Sequence, residues 1–269
     1  MKIGSQAHRH SAISGSNAAT IIVRGHDLVG ELVGGIGFTE HFWLLVTGAL
    51  PSSAQRRMLD AALVAIAEHG LVPSVQASRL TYAAAPEALL GAVAAGILGC
   101  GSVILGAAEA AGRFFADILQ RQESEPSPEA AAIAVLREYR GARRPVPGYG
   151  HPLHKDFDPR VRRLFEVAAE VGCAGRHIAV ARQVEALLPE HYGKPLKLNV
   201  SAGIPAVLLD AGFPLAGLKG VPILARTASL IAHLVEEQVR PIGFVLSHAG
   251  AQAIEYDGPA PPGFRPDED

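Results

Sequence analysis

A chain of 269 residues with 49% apolar and 19% charged side chains is long enough to bury a large core and too apolar to stay unfolded. Its formal net charge of −2 gives no global attraction for nucleic acid or an anionic membrane, so local cations must hold any anionic ligand. Rich in alanine and with aromatics at only 6%, the composition favours closely packed helices over sheets.

In chain order, residues 1–19 are expected to be a mobile tail. Met1-Lys2-Ile3-Gly4 lacks the apolar run of a signal peptide, and cytoplasmic residence is the default expectation. Helices are predicted over 27–35 and 39–47. Pro51-Ser52-Ser53 opens another, with Met58, Leu59, Ala62, Leu63 and Ile66 at helical spacing and a close near Glu68-His69-Gly70. Residues 89–108 carry no charge and reach the length of a membrane span. Their glycines and the acidic flanks Glu87 and Glu109 argue instead for a buried or interface helix that breaks at Gly99 and Gly101 and resumes to Gln120. Further helices are predicted at 128–140, 159–171, 176–188, 205–211 and 221–237, while 243–253 is ambiguous. Pro259, Pro261, Pro262 and Pro266 make 257–269 a Pro-rich tail. No strand-like alternation longer than four residues survives, so the fold class expected is all-α, with one helical unit over 20–256.

Cys100 and Cys173 form no metal-ligand pattern, and two reduced thiols are expected. There is no zinc-ligand spacing, no Gly-rich phosphate loop in a strand–helix context, and no basic stripe interleaved with aromatics. No metal, covalently bound cofactor, nucleic-acid partner or membrane is therefore expected.

The stretch 145–160 carries the chemistry. Its prolines and glycines exclude a helix interior, and they set His151 beside a glycine-flanked backbone that a ligand can approach closely. Arg160 stands at a predicted helix N-terminus, where a cation opposes the macrodipole; a carboxylate partner would justify it. Arg240, ahead of Pro241, reads by itself as a helix C-terminal cation, and His69 as a helix-end residue before a Gly cap. His233, midway along an apolar helix, reads as a satisfied core histidine.

Gly148-Tyr149-Gly150-His151 followed by Asp158-Pro159-Arg160 is similar to the active-site loop of the citrate synthase superfamily. Further resemblance lies in Arg24-Gly25-His26-Asp27, Phe38-Thr39-Glu40, the stretch ending Thr47-Gly48-Ala49-Leu50-Pro51, Ala225-Arg226-Thr227 with Ile231-Ala232-His233, and Arg240-Pro241. The length and the Gly-Tyr-Gly-His-Pro-Leu-His wording most resemble the citryl-CoA lyase branch, whose relatives include the C-terminal module of ATP-citrate lyase.

The resemblance implies a large helical domain with a small one over about 150–225, working as an obligate dimer. It implies a coenzyme A thioester as substrate and a di- or tricarboxylate as the other ligand. It makes His151 a donor to the oxo-acid carbonyl, Arg160 and Arg240 carboxylate clamps, and His69 a residue against the acid. Val146, Pro147, Gly148, Tyr149 and Gly150 become the CoA-contacting loop. Lys197, near Arg143, Arg144 and Lys194, is a candidate for the CoA phosphates. Two departures stand out. The family's catalytic aspartate falls at Ser201 in Asn199-Val200-Ser201, and its second catalytic histidine at Ile104. Losing a placed base or oxyanion donor costs about 10²–10⁴ in rate each. The leading reading is a citryl-CoA lyase-like enzyme; the alternative is a catalytically silent acyl-CoA- or carboxylate-binding oligomer.

Overall fold

The computed structural model describes residues 10–101, 106–150 and 156–263. Among these, three short strands form an antiparallel sheet: β1 (Ser14–Ser16), β2 (Ile21–Val23) and β3 (His26–Asp27), with Ser14 opposite Val23 and Ile22 opposite Asp27. Part of the expected tail is thus ordered in a sheet. Asn17 closes the first turn, its Oδ1 accepting the amides of Ala19 (2.9 Å) and Thr20 (2.8 Å). Arg24 and Gly25 make the second with φ of +50° and +91°. Arg24 is held in that conformation by two guanidinium bonds to the Leu45 carbonyl (3.0 and 2.6 Å). The helix expected at 27–35 is a single π-helical turn, Leu28–Leu32, capped by Asp27.

The remaining elements are helical: α1 (Phe38–Thr47), α2 (Ser53–Ala67), α3 (Pro73–Ala84), α4 (Leu89–Leu98), α5 (Gly106–Arg121), α6 (Pro128–Gly141), α7 (Pro159–Glu170), α8 (Arg176–Tyr192), α9 (Val200–Asp210), α10 (Gly220–Val239) and α11 (Gly243–Ala253). Local chemistry sets their starts. Ser52 Oγ accepts the Gln55 amide (3.2 Å) while Gln55 Oε1 accepts the Ser52 amide (2.9 Å), a reciprocal cap on α2. Ser127 caps α6, and the Asp210 carboxylate takes the amides of Gly175, His177 and Ile178 at the start of α8.

The apolar stretch 89–108 does break at the glycines. Its first part, α4, spans ten residues, roughly 15 Å, about half a bilayer. By length and composition alone, residues 215–239 pass as a membrane span. Arg226, Ser229 and Glu237 in that stretch are buried, whereas Ile231, Val235 and Val239 are exposed.

Two compact units divide the chain: 1–65 with 106–221, and 66–105 with 222–269. In the first, α9 is the central helix, packed against α5, α7 and α8, with α6 against α5 and α8. Nearly all of α9 is buried, including Ile204, Val207 and Leu208. α8 and α9 pack against α5, and α7 packs against α9, so residues 156–221 of the stretch expected as a small domain fall within this unit. In the second unit α3 packs along α4 and α11. A Cβ on Gly96 of α4 would meet Leu230 of α10 at 2.7 Å, so close helix approach fixes that glycine.

Candidate active site

Asp158 organises the site in the first unit. It immediately precedes Pro159 at the start of α7, and its side chain is 1% exposed. Oδ1 accepts the Arg160 amide (3.0 Å), capping α7; Oδ2 accepts the Val200 amide (3.0 Å) at the start of α9. The Arg160 guanidinium closes on the same carboxylate through Nε to Oδ1 (3.0 Å) and Nη2 to Oδ2 (2.8 Å). Burial by itself would raise the Asp158 carboxyl, but Arg160 and the two backbone N–H groups hold it below its ordinary value. Arg160 therefore has a structural partner that sequence reasoning did not assign. It also borders an open cavity of about 440 Å³ lined by α2 and α7, with Asp60, Val64 and Leu164 among the walls.

The glycine loop lies along the segment leading into α9. The Gly150 amide donates to the Lys197 carbonyl (2.7 Å), the Asn199 amide to the Gly148 carbonyl (2.9 Å), and Asn199 Nδ2 to the Gly150 carbonyl (2.7 Å). Tyr149 and Leu198 form an isolated antiparallel bridge. Gly148 has φ +83°, and a Cβ there would sit 2.3 Å from the Ala202 Cβ. This glycine lets the loop lie directly against α9. The Tyr149 ring is in the core, its hydroxyl donating to the Ala181 carbonyl (2.8 Å), and burial pushes its phenol well above the ordinary value. Val146 is buried as well. Of the expected CoA contacts, Val146, Gly148 and Tyr149 are thus occupied within the fold, while Pro147, Gly150 and Lys197 remain partly exposed.

Ser201 is in the first turn of α9, half-buried. The four opening amides of that helix all have acceptors: Val200 to Asp158, Ser201 to Asn199 Oδ1 (2.9 Å), and Ala202 and Gly203 to the Asn199 carbonyl (3.0 Å each). None of them is open to an enolate oxygen. Among the described residues Ser201 Oγ makes no hydrogen bond, so no base there activates it as a nucleophile. His151 and Ile104 lie outside the described residues.

His69 and Arg240 belong to the second unit. His69 is exposed in the turn between α2 and α3, ahead of Gly70 at φ +70°. Arg240 follows α10, exposed, its amide on the Glu236 carbonyl (2.7 Å) and its own carbonyl accepting Arg79 Nη2 (3.0 Å). Its guanidinium makes no hydrogen bond or ion pair with the described residues. The structure thus gathers Arg160, Ser201, Lys197 and the glycine loop around Asp158 and Asn199, and sets His69 and Arg240 in the other unit. Asp158 and Asn199 were missed as anchors, although Asp-Pro ahead of a helix and Asn two residues before Ser201 are both capping signals.

The sequence profile of the citrate synthase C-terminal domain matches residues 37–242. The chain belongs to the citrate synthase family. A solved citryl-CoA lyase from Hydrogenobacter thermophilus is 33% identical, with a TM-score of 0.82 over 95% of this chain and 97% of that one. The ATP citrate lyase of Methanothrix soehngenii, solved with citrate and coenzyme A, shares the fold at 22% identity and a TM-score of 0.72, covering 96% of this chain and 43% of that one. The citrate/2-methylcitrate synthase of Bacillus subtilis (strain 168) is 25% identical over 207 residues, 75% of this chain and 53% of that protein. The chain spans about half the length of the curated synthases it matches. Relatives of this citrate synthase-family chain are lyases and synthases, and its helical architecture is the family's.

Proposed function

We propose that the chain is a CoA-dependent carbon–carbon lyase of the citryl-CoA lyase kind, cleaving a citryl-CoA-type thioester to acetyl-CoA and oxaloacetate, or running the reverse condensation. The observation that carries this reading is the Asp158 junction, which holds the Arg160 guanidinium, the start of α9 and, through Asn199, the loop leading into His151 in one arrangement. The likeness to a citryl-CoA lyase over nearly the whole of both chains supports it.

In the cleavage direction the tertiary hydroxyl of the substrate loses its proton as the adjacent carbon–carbon bond breaks. The hydroxyl carbon becomes the keto group of oxaloacetate, and the bonding electron pair moves into the thioester enolate. A proton then converts the enolate to the methyl group of acetyl-CoA. Under this reading His151 serves the hydroxyl oxygen, Arg160 and Arg240 hold carboxylates, His69 lies against the acid, and Pro147, Gly150 and Lys197 meet the CoA. With the opening amides of α9 already occupied, Ser201 Oγ, a backbone donor elsewhere or water would meet the enolate. The reading includes a homo-oligomer, supported by the exposed Leu90, Leu98, Val239 and Phe244 of the second unit.

Pure protein incubated with citryl-CoA is expected to release oxaloacetate, followed by coupled NADH oxidation with malate dehydrogenase. A sample that binds oxaloacetate but releases none would leave the second reading, a silent acyl-CoA- or carboxylate-binding oligomer, which a serine at the position of the family's aspartate favours.

A further inference from the structure

A polar chain in the second unit, buried at Arg79 and Glu237 and exposed at Glu236 and Glu68, has no part in the site residues assigned so far. Arg79, on α3, is 2% exposed and uses all three nitrogens. Its Nε donates to Glu237, itself 3% exposed; Nη1 donates to Glu236 (2.9 Å) and lies 3.4 Å from His233 Nδ1; Nη2 donates to the Arg240 carbonyl (3.0 Å). The other oxygen of Glu237 accepts the amides of Ile242 (2.9 Å) and Gly243 (2.7 Å), capping α11. Pro241 has no N–H to place. The backbone turn that presents Arg240 is therefore fixed at its carbonyl by Arg79 and at the amides beyond by Glu237.

The chain continues toward His69. Arg79 only donates, so His233 Nδ1 accepts from it and the proton sits on Nε2, which donates to Glu68 Oε2 (3.1 Å). Glu68 also accepts from Ser229 Oγ and from the Gly70 amide. Its carboxylate thereby grips the backbone on the far side of His69. Burial would raise the Glu68 carboxyl, but Ser229, Gly70 and His233 outweigh it and lower it.

A buried Arg–Glu pair is seldom the most stable filling for a core; its characteristic contribution is to fix one geometry. We infer that Arg79 is a positioning residue that locks the turn carrying His69 and the turn carrying Arg240 into one fixed arrangement, with His233 as the link. The inference rests on the reading that His69 and Arg240 serve the acid. It predicts that the network matters to acid binding and not to CoA binding.

The test is Arg79→Lys, which keeps the charge but cannot reach Glu237, Glu236 and the Arg240 carbonyl together. Hydrogen exchange at Gly70, Ile242 and Gly243 is expected to rise together, and oxaloacetate affinity to fall by at least about tenfold, with acetyl-CoA affinity unchanged. Loosening at Ile242 and Gly243 with Gly70 still protected would make Arg79 a local cap and overturn the inference. So would equal losses of both affinities. His233→Leu cuts the link while leaving the Arg79–Glu237 pair; there Gly70 is expected to loosen and oxaloacetate affinity to fall while Ile242 and Gly243 stay protected, and unchanged affinity contradicts the inference. Should the unaltered protein bind no oxaloacetate, the functional reading fails, and the exchange data alone decide whether the two turns are coupled.

Discussion

Asp158→Ala is expected to lower unfolding stability by about 3–5 kcal/mol, because it strips one partner from a buried, hydrogen-bonded ion pair. The loss is spread over two helix starts. The amides of Arg160 and Val200 lose their acceptor, and the guanidinium is left beside an emptied pocket. Asp158→Asn, which keeps the shape without the charge, is expected to lose less. Urea denaturation of the three proteins at pH 7 gives the comparison; a deficit under about 1 kcal/mol for Asp158→Ala would show that the junction is not what holds α7 to α9. The pH dependence has a defined sign. Asp158 titrates lower in the folded chain than its ordinary value, so its stabilisation is complete above the unfolded carboxyl range, about pH 4, and is lost as pH falls through the folded value. The difference between the unaltered protein and Asp158→Ala should accordingly shrink in strong acid.

The second large effect is a gain. Ser201→Asp restores a carboxylate on the first turn of α9, where the helix dipole favours negative charge and Arg160, bound to Asp158 nearby, offsets repulsion between the two acids. A placed general base contributes about 10²–10⁴ in rate. Solvent exchange of the acetyl-CoA methyl protons, measured by NMR with oxaloacetate present, should therefore rise by about 10² or more over the unaltered protein. No change would mean that position 201 does not face the thioester methyl, and the alignment of Ser201 with the family aspartate would fall. A rise from no detectable exchange in the unaltered protein would favour the silent reading for the natural chain.

Much of the helical frame was legible because capping and breaking residues act locally. Gly99 and Gly101 end α4, Ser52 and Gln55 start α2, and Ser127 with Pro128 starts α6. The failures have equally local causes. The helix α3 went unpredicted since Ser74, Ser78 and Arg79 are on its buried face, erasing the apolar periodicity that marks a helix. The start of α9 was placed at Pro205, yet the helix begins at Val200, capped by Asn199, and carries the proline inside. Strands of two or three residues leave no alternation to detect.

The site was legible in its parts and not in its wiring. Arg160 and the glycine loop were found, but not their partners within the fold. The structure gives Arg160 to Asp158 and Gly148 to Ala202, pairings that require knowing that α7, α9 and the loop meet. Arg79 and Glu237 are separated by more than a hundred residues, and no local pattern announces a buried pair of that kind.

The central reading, that Arg160 and Arg240 each hold a carboxylate of the substrate acid, is tested most directly by calorimetric titration of oxaloacetate into the unaltered protein, Arg160→Lys and Arg240→Met. Binding to the unaltered protein, weakened by about tenfold or more in each variant, is the predicted result. Oxaloacetate affinity that is unchanged in either variant contradicts it.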